Sequence, residues 1–490
     1  MATKTWSMTT FYGGMTDDPR TETRVSFSDM GHFDLSDPNV LKPYREYVAD
    51  EEVDALIQNF VYANGTLYGV GTDTATQNKL KLWTKTLSGS WTAATNGEST
   101  GNGTLNGGLG YYPTRGGIIG VWGGTSVFEY ADITGSPTFA DTVSGGTLSA
   151  TPSVVSNGIV GKDDEYYFGH DNFLAQYSST GNFTEKKLIL PPQYKIRSLE
   201  RIGSYLAIGC TGDGISQRSV IFLWDYIKAD PEDVIDCGLE QLWHVANLGG
   251  VLQIVSISPN NADFSLEQRL VIRQWLGGDK AQAFWQKDLG SNGYFSRPSR
   301  HVEGGKFYFI LDKNSDTDTN KGIWSIGRKN TDLPFQVVKD LKGVNASDTI
   351  ETVLNSFIKT GDYFWLSFGT DGSVERTNDT EDYDITSYAE TEIIQGENLF
   401  AKKRAVRVGV VYKELPTDGV VTLKYKADTE SSFTTIFAET TNSSTGQFVS
   451  RTSSDTALPS DWHELTLRVE SDDGAEILGL YMEYEEMEIR

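Results

Sequence analysis

Cysteine is almost missing from this 490-residue chain: only Cys210 and Cys237 occur, which excludes a disulfide-stapled scaffold. Both fall in one repeat, so a bridge between them stays open, but isolated thiols packed in strands are the expected state. No apolar run approaches about 18 residues, so no membrane span is expected. No basic-plus-apolar leader opens the sequence, and no signal peptide is expected. Basic residues are outnumbered, 42 Lys and Arg against 67 Asp and Glu, giving a net charge of −25. That balance repels phosphate and no Lys/Arg stripe offsets it, so direct nucleic-acid binding is not expected and an anionic membrane surface is disfavoured. Helix signals are nearly absent; residues 51–58 and 231–240 each allow a turn or two. The five histidines (His32, His170, His244, His301, His463) are scattered, without the close spacing of a zinc site. No Gly-x-Ser-x-Gly elbow and no P-loop is present. The Asn-x-Ser/Thr triplets at Asn64, Asn102 and Asn182 are of a kind that arises by chance in a chain this rich in Asn and Thr.

What the chain does have is glycine (50 residues) and aromatics (12%), which suits many tight turns joining strands that pack rings. The clearest unit is EGGKFYFILD, residues 303–312: a Gly-Gly reversal followed by a short apolar run, the pattern of a strand buried on both faces. Related stretches are ANGTLYGVGTD, TRGGIIGVWGG, KDDEYYFGHDN, RIGSYLAIGCT, LGGVLQIVSI and TGDYFWLSFGT. The turn markers Gly65, Gly117, Asp164, Gly203, Gly250, Gly305 and Gly361 are 52, 47, 39, 47, 55 and 56 residues apart. Seven copies at about 40–55 residues, with a third apolar strand and a polar outer strand completing each, predict an all-β, seven-bladed β-propeller. Such sheets cannot bury both faces alone and must stack around an axis.

Residues 1–50 do not fit the repeat and form an N-terminal extension. Residues 6–12 are the candidate strand for closing the ring; a tail packed along the surface is the alternative. The repeats fill 51–391. From 392 to 490 the pattern changes to strict alternation, as in VVTLKYKAD and DWHELTLRVE, which predicts a C-terminal antiparallel β-sandwich.

Candidate sites are few. Asp312, Asn314, Asp316 and Asp318 alternate as calcium-loop ligands do, but Thr317 stands where glycine belongs and Ile323 where the closing glutamate belongs. A solvated acidic turn is the preferred reading and calcium the alternative; no other cofactor is expected. Trp83, Trp122, Trp224, Trp275, Trp324 and Trp365 recur in repeat strands, where large rings fill the wedge between blades; a sugar platform is the alternative. Trp91 and Trp462 are the candidate exposed rings for glycan or partner contact. Trp224–Asp225 is a single WD dipeptide, so a WD-repeat protein is not expected. Paired carboxylates such as Asp163–Asp164 would do acid–base work only if burial raised one pKa.

The opening FYGGM, repeats such as FVYANGTLYGVG, and the C-terminal VVYKELPTDGVVTLKYKAD and DWHELTLRVE resemble the β-propeller virion structural proteins of tailed bacteriophages. The resemblance implies a non-enzymatic tail component: a nozzle, tip, ring or fibre-associated subunit, in a symmetric oligomer with itself and other virion proteins. It would assemble in the host cytoplasm and reside in the virion. No catalytic residues carry over. A carbohydrate-binding adhesin that meets host-surface glycan is the alternative, and a propeller glycoside hydrolase or lyase the second.

Overall fold

In the computed structural model, the described residues are 3–16, 24–53, 55–73, 80–98, 105–122, 128–133, 138–140, 146–212, 218–258, 267–291, 293–313, 320–328, 333–344, 353–369, 373–377, 383, 385–441, 447–456 and 458–487. Among them the structure is all-β apart from one 3₁₀ turn at Pro113–Arg115. The two stretches that allowed a helical turn are not helical: Ala55–Ala63 and Asp233–Asp236 are strands.

Successive strands build seven four-stranded antiparallel sheets. The first holds Ala55–Ala63, Thr66–Asp73, Leu80–Thr86 and Thr92–Glu98, in chain order. The second to sixth begin at Leu105–Tyr112, Ile159–Val160, Tyr194–Ile202, Gln241–Leu248 and Tyr294–Glu303 and keep the same order. The seventh holds Leu354–Thr360, Tyr363–Phe368 and Ser373–Thr377, and its outer strand is Tyr47–Glu52. The hairpin between first and second strands turns on residues with positive φ, including Gly65 (78°), Gly305 (77°) and, where the repeat lacks glycine, Asp164 (65°). Aspartate is among the few L-residues that adopt this conformation readily.

First strands touch first strands in sequence: first–second, second–third, fourth–fifth, fifth–sixth, sixth–seventh and seventh–first. The third sheet meets the fourth through its second strand, Tyr166–His170. The series returns to its start, so these strands surround a common hub. That is the arrangement of a β-propeller.

The core lies between neighbouring sheets, as the both-faces-apolar strands require. Tyr167, Leu174 and Leu188 of the third sheet pack on Ile196, Leu206, Ile208 and Trp224 of the fourth. Ala207, Ile221 and Ile235 of the fourth pack on Leu242, Leu252 and Ile254 of the fifth. The seventh meets the first through Ile358, Trp365 and Val374 against Ile57, Phe60, Leu67 and Trp91. The repeat tryptophans Trp224 and Trp365 are wholly buried in these wedges, and Trp83 and Trp275 pack against them. Each buried ring of this kind contributes about 2 kcal/mol. Close approach at one wedge depends on Gly209, where a Cβ would sit 2.7 Å from Val245 Cγ2.

The closing strand is not residues 6–12. Thr3–Met8 pairs antiparallel with Ile477–Glu486, Trp6 opposite Met482, in a sheet that continues through Lys403–Tyr412 to Gln447–Thr452. Trp6 and Met8 face the interior there, which explains why this stretch is apolar. The strand that closes the ring, Tyr47–Glu52, is pinned by Asp50. Its carboxylate accepts from Lys85 Nζ (2.6 Å) and Trp91 Nε1 (2.5 Å), and Arg376 Nε lies 3.4 Å away.

By contact density the chain divides into two compact units, 49–321 with 351–376, and 1–48 with 322–350 and 377–490. The second of these also holds a six-stranded sheet in the order Gly14–Met15, Ser26–Gly31, Ser387–Thr391, Leu465–Asp472, Val420–Ala427, Thr434–Glu439. Ser387–Thr391, read from sequence as the end of the repeats, is thus paired with Leu465–Asp472.

Candidate functional site

The hub is built by a local irregularity that recurs. In four first strands a single extra residue interrupts the ladder to the second strand at the same place: Gln58, Arg197, Trp243 and Asn355. Each stands six positions before the first turn residue of its hairpin (Asn64, Gly203, Gly249, Gly361). Such bulges re-aim side chains and recur beside binding sites. The sixth first strand slips between Ser296 and Arg300, and the second slips twice, between Leu105 and Gly107 and between Gly107 and Gly110, so neither keeps that offset.

Near the bulges, polar side chains tie neighbouring sheets together at five of the seven junctions. Asn157 brackets Leu199, with Leu199 N–H donating to Oδ1 (2.9 Å) and Nδ2 donating to the carbonyl (3.2 Å). Ser198 Oγ accepts from Val245 N–H (3.0 Å), and Ser299 Oγ donates to Phe357 O (2.9 Å). His244 Nε2 meets Ser296 Oγ at 2.7 Å, and Ser356 Oγ donates to Ile57 O (3.2 Å). Five consecutive junctions, third to fourth through seventh to first, are therefore fastened, four of them side chain to backbone and the fifth to sixth side chain to side chain. The four serines are buried, so each bond also satisfies a group that would otherwise carry a desolvation penalty.

Two arginines enter the hub. Arg300 reaches from the sixth sheet to the carbonyls of Val245 and Leu199 (the latter 2.8 Å) and pairs with Glu200 at 3.1 Å. Burial pushes the Glu200 carboxyl up, against the pull of Arg300. Arg197 instead lies 4.9 Å over the ring of Trp243.

The residues singled out from sequence are placed elsewhere. Trp91 is 4% exposed and Trp462 0%, so neither offers a ring to a glycan or partner. Trp91 is held by Asp50, while Trp462 exchanges backbone hydrogen bonds with Lys403 and packs on Tyr484 at 5.8 Å. Of the calcium candidates, Asn314, Asp316 and Asp318 lie outside the described residues. Asp312 is buried and ion-paired with Lys321 at 3.2 Å, so its carboxylate already has a cation. Among the described residues no three His, Cys, Asp or Glu side chains are grouped to hold a metal. Cys210 and Cys237 are free, buried thiols, and burial pushes both well above the ordinary cysteine range. Among the described residues no helix is long and apolar enough to cross a membrane.

The hub residues went unnoticed in the sequence because each is a single polar or bulky residue in an apolar strand. Their constant offset from the hairpin turn is the signal that marks them.

No family model matches the chain, and no curated protein matches it. Similar solved structures include the WD40 repeats of RRP9, 10% identical over 68% of this chain and 98% of that one, with a TM-score of 0.46. The Dos1 propeller is 10% identical over 76% and 94%, TM-score 0.42. BamB from Moraxella catarrhalis is 10% identical over 69% and 90%, TM-score 0.40.

Proposed function

We propose that this chain is a structural subunit of a bacteriophage virion, a tail component in which a seven-bladed propeller carries a C-terminal β-sandwich. The observation that supports this most is the fastening of the ring: five junctions bonded through side chains, and the last sheet completed by a strand from residues 47–52. Such a ring resists shear between its sheets, the property a load-bearing part needs. The FYGGM stretch fits the same picture, since Phe11 is buried against Phe27 and Gly14–Met15 enters the six-stranded sheet.

In this reading the subunit acts by assembling, without catalysis, into a symmetric oligomer beside other tail proteins. Leu399 and Phe400 (54% and 82% exposed) and Phe448 on an edge strand are the apolar groups that neighbours would cover. The test is particle composition. Density-gradient-purified virions from the source culture, analysed by peptide mass spectrometry, should contain the chain in fixed proportion, and antibody against it should label tails in electron micrographs. A chain found only in the particle-free supernatant would end the virion reading.

A further inference from the structure

We infer that the hub carries an oxoanion site, in which the guanidinium of Arg197 and the indole N–H of Trp243 together bind one carboxylate, phosphate or sulfate group. Both are the extra residues of their bulges, and the cation stands 4.9 Å over the ring. The Nε of Arg197 and the Nε1 of Trp243 are both buried with no acceptor among the described residues. A buried donor left unpaired costs about 1–3 kcal/mol, and here there are two, on side chains stacked on one another.

Two other part-buried arginines show the contrast. Arg300 is matched by Glu200, and Arg273 by Glu240 at 2.7 Å. No carboxylate among the described residues pairs with Arg197 in a chain whose net charge is −25. Burial lowers its pKa to about 10, so it remains charged at neutral pH. A part-buried cation with a planar N–H edge, stacked on an indole that has its own N–H, presents donors only, the complement of an oxoanion. The hub also limits size, since the first strand of the sixth sheet touches that of the first. One small oxoanion fits this chemistry; a polymer does not. The site depends on the hub alone and not on the virion reading.

Isothermal titration of the full chain with sodium phosphate, sulfate and acetate, at ionic strength held constant with chloride, tests it. The wild type should bind one equivalent saturably. Arg197→Gln should lose the signal, and Trp243→Phe, which keeps the ring but removes the donor, should bind about tenfold more weakly. Arg269→Gln, a charge removed from an exposed pair with Asp288, should bind as the wild type does. No saturable binding in the wild type, or equal binding in Arg197→Gln, overturns the site. Should Arg197→Gln fail to fold, unchanged affinity in Trp243→Phe overturns it instead.

Discussion

His32 is wholly buried, with φ at 68°, and its ring meets Tyr44 and Tyr47 edge-on at 6.0 and 5.5 Å. Burial, helped by the nearby Lys342 ammonium, holds its pKa down at about 3, although the backbone of Arg45 and Tyr44 pulls the other way. The ordinary value is about 6.5. Between those two values the unfolded chain binds a proton that the native state refuses, so stability falls as pH falls through that window. Urea midpoints of the wild type should therefore drop between about pH 7 and pH 4, and His32→Asn, which tolerates the same backbone conformation, should drop less. An equal drop in the variant would remove His32 as the cause. The two thiols make a second residue-scale prediction. Because both are buried and their pKa values are raised, a disulfide reagent such as Ellman's should find no reactive thiol in the native chain and both after denaturation. Rapid native labelling would contradict the packing described.

At the scale of single elements, Asp50 is the group on which the closing strand depends. Asp50→Ala leaves Lys85 and Arg376 beside an apolar wedge without their carboxylate, and frees Trp91 Nε1. Breaking a buried pair in this way typically costs about 3–5 kcal/mol, so the urea midpoint should fall clearly. A change within error would mean the strand is held by its backbone ladder alone. Gly209→Val places methyl groups against Val245 and Leu242, and should cost about 1–3 kcal/mol through overpacking. Near-wild-type stability there would show that the wedge can relax.

The same elements show what could be read in advance. The third strands Phe173–Tyr177 and Val220–Trp224 lie where their apolar runs place them, because both faces are covered by neighbouring sheets. Tyr47–Glu52 (YVADEE) escaped notice because an outer strand needs little apolar surface, and its anchor is the polar residue Asp50. Residues 6–12 misled for the opposite reason: Trp6 and Met8 are buried, but in another sheet. Long-range pairing leaves no local trace. Trp91 and Trp462 could not be told from surface rings, since a tryptophan outside the repeat carries no mark of its burial.

For the whole molecule, the exposed Leu399–Phe400 pair is where the assembly reading can be broken. If oligomers form through it, Leu399→Asp with Phe400→Asp should shift the chain from a defined oligomer to monomer in light-scattering chromatography. The thermal unfolding of the monomer should be little altered, because neither side chain enters a core. An unchanged oligomer would move the contact elsewhere, and a wild type that is already monomeric would break the self-assembly reading.

The pairing of residues 47–52 with 373–377, and of Thr3–Met8 with Ile477–Glu486, also dictates a timetable. During synthesis the early strands leave the ribosome long before their partners exist: the seventh sheet waits for Ser373–Thr377, and the sheet of Thr3–Met8 for Ile477–Glu486. Contacts of such sequence separation make folding slow and keep β edges open meanwhile. A product stalled before those partners emerge would therefore be a sticky fragment instead of a smaller working part, and chaperone demand should last until they are made.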